Sequence, residues 1–171
     1  MQNYFELFDL KTSFFVDDDA LKKAYQAQVT RFHPDNFATK SQAEQLQALQ
    51  NTSLVNSAYT ALKTPLNRAS YLLNLEDVNP FDEKDTNMDT NFLVSQIELR
   101  EQLESIKEQQ DNLALDDFIE RVQDFIRDNV ASISEAFSHS RDLQEIKTLV
   151  RELKFYDQLN KEANILMDEW L

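Results

Sequence analysis

The amino-acid sequence predicts an all-α protein made of two helical domains. Its 171 residues include no glycine, although an average content of about 7% would place roughly twelve in a chain of this length. Tight β-hairpin turns favour glycine, whereas Leu, Gln, Glu, Lys and Ala, which are common here, favour helices. Apolar residues also recur at intervals of three and four, the spacing of one face of an α-helix. This periodicity stops between residues 76 and 89, and the interruption separates the two domains.

The first domain, residues 1–75, is predicted to contain an antiparallel pair of helices flanked by two short ones. Each helix starts at polar or acidic residues that satisfy free backbone N–H groups or favour the helix dipole, namely Asn3, the aspartates at 17–19, Ser41 and Thr64. The second helix must end near Phe32, because Pro34 disfavours helical angles at the residue before it. The next residues, HPDN, are therefore predicted to be a loop. The apolar face of the third helix is expected to include Leu46, Leu49, Val55 and Leu62.

The second domain, residues 90–171, is predicted to be a three-helix bundle. Helical periodicity runs over about 90–110, 114–138 and 142–171, and none of these stretches contains proline. Their short connections favour antiparallel neighbours. The preceding residues 76–89, EDVNPFDEKDTNMD, are polar and have no apolar period, so they are predicted to be an acidic linker.

Charge and composition exclude several classes of function. The net charge is −14, and residues 1–75 hold seven basic and seven acidic side chains, so the whole excess lies in residues 76–171. Such a surface repels nucleic acid and anionic lipid. Without cysteine or glycine the chain has no disulfide, thiolate zinc site or glycine-rich phosphate loop. We expect no metal or other cofactor and, because no secretory signal or membrane span is evident, a cytoplasmic location.

His33 and Asp35 allow two interpretations of the HPDN segment. A histidine beside a carboxylate is a common general-base pair, but no nucleophile or orienting third group is evident nearby. A polar tip stiffened by Pro34 also suits recognition by another protein, because proline limits the backbone freedom lost on binding. From the residues alone, a plain turn between two helices is the simplest interpretation.

The surrounding sequence resembles a known family. A helix that ends in VTRFHPDN, preceded by YFELFDL and followed by NSAYTAL, resembles the J domain of DnaJ-type co-chaperones, whose signature tripeptide is matched by His33, Pro34 and Asp35. The stretches SQAEQLQALQNTSLVNSAYTALKTPLNRASYLLNL and FLVSQIELREQL resemble the HscB family of J-domain co-chaperones, which serve iron–sulfur cluster assembly. The resemblance extends over nearly the whole chain.

This resemblance implies a DnaK-type ATPase chaperone, HscA-like, as the partner of the first domain. The tripeptide would contact that chaperone and accelerate its ATP hydrolysis, aided by the basic residues of the second helix. Those residues are Lys22, Lys23 and Arg31. Asn36 follows the tripeptide where the family often has lysine, and three aspartates crowd the start of the same helix, so strong electrostatic steering is not expected.

The fifth helix carries more apolar residues than one buried stripe requires. At about 100° per residue, the core stripe contains Phe92, Leu99, Leu103 and Ile106. Leu93, Val94 and Ile97 point elsewhere, so they form either a widened core edge or an exposed patch. In the last helix, Phe155 points roughly 160° away from core-facing Leu153 and is expected to be exposed.

The HscB resemblance implies that this face binds the scaffold protein on which clusters are built, IscU-like. Mapped onto this sequence, the scaffold-binding residues are Leu93, Val94, Ile97, Glu98, Glu101, Lys154 and Phe155. The expected function is that of a co-chaperone without catalytic residues of its own, which stimulates the HscA-like ATPase and delivers the scaffold to it. Three alternatives stay open: a J-domain co-chaperone with another client, a helical adaptor without a chaperone role, and a hydrolase that uses His33 and Asp35.

Overall fold

The computed structural model describes residues 2–85 and 88–171. It divides the chain into two compact units, Met1–Leu75 and Glu76–Leu171. All regular elements among the described residues are helices, and no strand occurs in them, which confirms the all-α prediction. No helix in these two stretches combines the length and the apolar character needed to cross a bilayer.

The first unit contains four α-helices and one 3₁₀ turn. The α-helices are α1 (Tyr4–Leu7), α2 (Asp18–Arg31), α3 (Gln42–Leu62) and α4 (Pro65–Leu75), and the 3₁₀ turn is Pro34–Phe37. The predicted starts are confirmed, because the side chains of Asn3, Asp17, Ser41 and Thr64 each accept a hydrogen bond from a backbone N–H of the first turn. The helices α2 and α3 form a hairpin whose tip is the 3₁₀ turn.

A buried arginine links three segments of the first unit through hydrogen bonds. Arg68 of α4 is 6% exposed, and its Nε donates to the carbonyl oxygen of Phe14 at 2.6 Å while Nη1 donates to that of Leu62 at 2.8 Å. Burial lowers the pKa of the Arg68 guanidinium. This side chain therefore joins the segment before α2 to the C-terminus of α3, around a core that includes Phe5, Leu21, Val55 and Leu73.

The second unit is the expected three-helix bundle. Its helices are α5 (Thr90–Gln109), α6 (Asn112–Ser138) and α7 (Leu143–Trp170), capped by the side chains of Asp89, Asp111 and Asp142. Helices α5 and α7 run parallel. Phe92 at the start of α5 packs against Tyr156 of α7, and Arg100, further along α5, pairs with Glu162, which is further along α7. The centre is filled by residues that include Leu103, Leu115, Phe118, Val122 and Leu159.

In the two turns between the bundle helices, residues other than glycine adopt left-handed backbone angles. Gln110 at the end of α5 has φ 51°, and Arg141 before α7 has φ 49°. Glycine is the usual residue at such left-handed positions, because a Cβ atom there crowds the backbone. The turns that reverse the bundle are therefore made by residues that carry a small conformational cost.

Candidate functional site

The HPDN segment is not the plain loop that the sequence predicts, because Pro34–Phe37 form one 3₁₀ turn. His33 caps this turn, since its Nδ1 accepts a hydrogen bond from the N–H of Asp35 at 3.2 Å. Its carbonyl oxygen accepts another from the N–H of Asn36 at 2.9 Å. Proline suits the first position of the turn, where its fixed φ is correct and an N–H would lack a partner. The tripeptide thus acts as its own cap.

The two ionisable groups of the tripeptide face solvent. The side chain of Asp35 is 91% exposed and that of His33 is 53% exposed, with Nδ1 of the imidazole 3.6 Å from the Asp35 carboxylate. Proton transfer in catalysis profits from a site that excludes water. The two solvated side chains instead leave their hydrogen-bonding groups accessible at the surface of the hairpin tip.

Side chains from both hairpin helices hold the tip in place. The Asn36 side-chain amide donates to the carbonyl oxygen of Thr30 in the last turn of α2 at 2.7 Å. From α3, Gln45 donates to the carbonyl oxygens of Phe37 at 3.1 Å and Lys40 at 3.3 Å. From the sequence, Asn36 is identified only as the residue that stands where the family often has lysine. In the structure it is a strut, because its side chain joins the tip to α2.

An apolar cavity lies beside the tripeptide. It has a volume of about 330 Å³ and is lined by Phe32, Pro34, Phe37, Ala38, Gln45, Ala48, Leu49 and Thr52. Leu49 is 64% exposed and Leu46 is 55% exposed, so neither belongs to the core that helical spacing predicts for them. Polar tip and apolar groove together form a surface that a protein partner could cover.

The basic residues of α2 are not one cluster. Lys22, Lys23 and Arg31 are all exposed, but Lys22 and Arg31 are nine residues apart and point about 180° apart on the helix. Only Arg31 lies at the tip, where its guanidinium stands 5.2 Å from the ring centre of Phe32. The structure therefore brings Arg31 to the tripeptide and leaves the two lysines further along α2.

In the second unit, the extra apolar residues of α5 are exposed. Leu93 is 42%, Val94 48% and Ile97 59% exposed, with the exposed acids Glu98 and Glu101 on the same helix. Of the two possibilities that the sequence leaves open, the exposed patch is therefore the correct one. The predicted core stripe is confirmed for Phe92, Leu99 and Leu103, each 7% exposed, whereas Ile106, its fourth member, is only partly buried against the core.

Phe155 is not the exposed anchor that its angle from Leu153 predicts. The ring is partly buried and packs against the bundle core, edge-on to Phe92 at 5.8 Å between centroids. The guanidinium of Arg100 stands 5.5 Å from its ring centre. Because α7 contacts both other helices, its buried arc is wider than one stripe, and Phe155 lies at the edge of that arc.

Lys154 does not extend freely into solvent beside the patch. Its ammonium lies 4.2 Å from the ring centre of Phe81, which belongs to the segment expected to be a linker. That segment is part of the second unit. Within it, Pro80 is buried, and the Asp85 carboxylate forms ion pairs with Lys147 and Arg151.

Comparisons with known proteins agree with both halves of this description. The family model described as "DnaJ domain" matches residues 3–71, and the model described as "HSCB C-terminal oligomerisation domain" matches residues 88–164. The co-chaperone protein HscB homolog of Photobacterium profundum is 37% identical over 165 residues, 96% of each chain. This chain belongs to the HscB co-chaperone family.

Relatives and solved structures cover the HscB fold from end to end. The HscB homolog of Aliivibrio salmonicida is 39% identical over 170 residues, 99% of each chain. Chaperone HscB from Vibrio cholerae superposes with a TM-score of 0.89 at 38% identity, covering 99% of this chain and 100% of that one. Human co-chaperone protein HscB gives 0.89 at 29% identity, covering 96% and 82%. The predicted combination of a J domain with an HscB C-terminal domain is confirmed.

Membership of the HscB family gives the chain the general role of a co-chaperone. A J-domain co-chaperone implies a DnaK-type chaperone as partner. The structure groups His33, Pro34, Asp35 and Arg31 at one tip, and it places Phe155 against Phe92 and Arg100 of α5, the helix that carries the exposed patch. Sequence reasoning missed Phe81, whose one signal was an aromatic residue in an otherwise polar segment.

Proposed function

We propose that this chain binds an HscA-like chaperone of the DnaK type through its first unit and accelerates ATP hydrolysis there. Its second unit delivers an IscU-like iron–sulfur scaffold protein to the same chaperone in the cytoplasm. The chain performs no covalent chemistry itself and needs no cofactor in this role. The observation that supports this best is the braced, solvent-facing His33-Pro34-Asp35 tip.

The tip is suited to stimulate a chaperone ATPase because its conformation is already fixed before the chaperone binds. The cap by His33 and the Asn36 strut restrict the turn, and less conformational entropy is therefore lost when a partner binds. The imidazole and carboxylate remain available for hydrogen bonds, since both are largely exposed. In this proposal Arg31 adds a positive charge at the tip, while Lys22 and Lys23 contact a more distant part of the chaperone along α2.

The patch on the bundle is suited to bind a folded protein. Leu93, Val94 and Ile97 are each about half exposed and are neighbours on α5, and adjoining exposed apolar side chains are typical of interaction sites. Phe155 borders the patch as an aromatic side chain already held by its neighbours, a property typical of interface hot spots. Glu98, Glu101 and Lys154 supply a charged rim, which favours orientation more than affinity.

Joining the two surfaces in one chain gives the function. A scaffold protein held on the bundle is present at a high effective concentration when the tip engages the chaperone. ATP hydrolysis then coincides with the presence of the client, so the chaperone closes on the scaffold rather than on another protein.

The experiment is a steady-state ATPase assay of an HscA-like chaperone with this protein, an IscU-like scaffold protein, both or neither. We expect each addition to stimulate weakly or moderately and both together to stimulate synergistically. His33→Gln should abolish the stimulation by this protein, whereas Thr39→Ala, on an exposed neighbour, should leave it intact. Full stimulation by His33→Gln would overturn the proposal.

A second pair of variants tests the scaffold side. Leu93→Ala combined with Ile97→Ala should weaken scaffold binding at least about tenfold by isothermal titration calorimetry, since each removes an exposed apolar anchor. The same double variant should still stimulate the chaperone when no scaffold is present. Unchanged scaffold affinity would remove the patch from the proposal.

A further inference from the structure

The segment before α5 is fastened along one face of α7. Lys147, Arg151 and Lys154 are spaced at i, i+4 and i+7, so they lie on the same face of the helix. Asp85 pairs with the first two, and Arg151 Nη1 also donates to the Asp85 carbonyl oxygen at 2.9 Å. Phe81 lies under the third at 4.2 Å. Residues 81–85 are thus held at both ends by basic side chains of α7.

This arrangement borders an open cavity of about 400 Å³. Its apolar walls are Phe81, Met88 and Phe155, and Gln96 and Gln158 add amide groups. Gln96 lies three residues after Leu93, and Arg100, which stands over the Phe155 ring, lies three residues after Ile97, so both are surface neighbours of the α5 patch. The cavity is therefore next to the surface to which we assign scaffold binding.

The charges of the cavity favour a cationic occupant. Arg151 pairs with Asp85, which leaves Lys154, with its ammonium against the Phe81 ring, as the second basic residue of a lining that holds three acidic ones. Asp82 and Glu83 also line the cavity, and both are exposed. Neither forms an ion pair with any residue in the described stretches 2–85 and 88–171.

We infer that this cavity receives a basic side chain of the scaffold protein, next to the apolar contact on α5. Arginine fits best, because its stem can lie along apolar walls and its planar head binds carboxylates through two hydrogen bonds. Residues 81–85 then form a second wall of the client surface rather than a passive connection. This inference rests on the proposed function, since it names a further contact of the same partner.

The test compares two double variants that remove the same charge from the second unit. Asp82→Asn with Glu83→Gln removes the carboxylates at the cavity, and Asp116→Asn with Asp117→Asn removes two exposed carboxylates on α6. All four side chains are exposed, so both variants should fold, and thermal melting checks this. The measured quantity is the dissociation constant for an IscU-like scaffold protein at low and at high salt.

We expect the cavity variant to weaken binding about five- to tenfold at low salt and the control variant less than about twofold, because a local pair is lost only in the first. The difference should shrink at high salt, where screening weakens exposed charge pairs. Equal effects of the two variants, together with weakened binding by Leu93→Ala and Ile97→Ala, would overturn this inference alone. Full affinity of the Leu93→Ala and Ile97→Ala variant would instead overturn the proposed scaffold surface, and the inference with it.

Discussion

Replacing Asn36 by alanine tests whether the braced conformation of the tip matters for function. The substitution removes the hydrogen bond from the side-chain amide to the Thr30 carbonyl oxygen at 2.7 Å. It keeps the backbone hydrogen bond from the Asn36 N–H to His33. A typical hydrogen bond of this kind contributes about 1 kcal/mol net. If that energy favours the binding-competent tip, its loss lowers the apparent affinity for the chaperone by at most about fivefold.

The assay is the concentration of this protein that gives half-maximal stimulation of an HscA-like ATPase. Asn36→Ala should raise that concentration, by at most about fivefold, while leaving the maximal rate nearly unchanged, because His33 and Asp35 are still present. Thr39→Ala on the same tip is the control and should behave as wild type. A half-maximal concentration equal to that of wild type would refute the reasoning that the strut prepares the tip for binding.

Three further predictions concern stability and pH. Arg68→Met leaves the carbonyl oxygens to which the guanidinium donates without their charged partner, so the free energy of unfolding should fall by about 2–4 kcal/mol; urea titration of both variant and wild type measures this. Gln110→Gly removes a Cβ atom at a left-handed position and should stabilise the protein by up to about 1 kcal/mol, whereas Gln109→Gly within α5 should destabilise it. Burial and the nearby Asp89 carboxylate raise the pKa of Glu152 above its ordinary value of 4.5. The ionised side chain therefore costs stability at neutral pH, and Glu152→Gln should raise the melting temperature at pH 7 but not below about pH 4.5.

Each of these three has an outcome that would contradict it. A loss of less than about 0.5 kcal/mol for Arg68→Met, the typical size for a surface change, would show that the guanidinium is dispensable. Equal effects of glycine at positions 109 and 110 would remove the conformational argument. A stabilisation by Glu152→Gln that grows as the pH falls would have the wrong sign, because protonation of wild-type Glu152 must erase the difference between the two proteins.

Helix positions and the core stripe of α5 were predictable from local sequence. Capping residues such as Ser41 mark starts through contacts within a few residues, and helical spacing places Leu99 on the core stripe and Ile97 off it. Spacing left open whether Ile97 is exposed, because that depends on which elements pack against α5. The resemblance of the tripeptide and its flanking stretches to a known family supplied the general role, which spacing alone left open.

The features that the sequence did not predict depend on contacts between elements. The angle of Phe155 on α7 gives a direction but not the neighbour in that direction, and α5 happens to lie there. Leu49 has the spacing of a core residue, yet it lines an open groove beside the tip. Arg68 is buried because the carbonyl oxygen of Phe14, distant in sequence, and that of Leu62, at the end of α3, both accept from it. None of these can be read from periodicity, since each depends on which elements pack together.

The decisive measurement asks whether the tripeptide tip and the scaffold-binding patch on α5 must lie in the same molecule. The ATPase rate of an HscA-like chaperone is recorded with an IscU-like scaffold protein and an equimolar mixture of two full-length variants, His33→Gln and the double variant Leu93→Ala, Ile97→Ala. One variant holds the scaffold without a working tip, and the other has the tip without the patch. The account predicts that the mixture fails to restore the synergy seen with wild type, because neither molecule couples the two surfaces. A mixture that reaches the wild-type rate would contradict it.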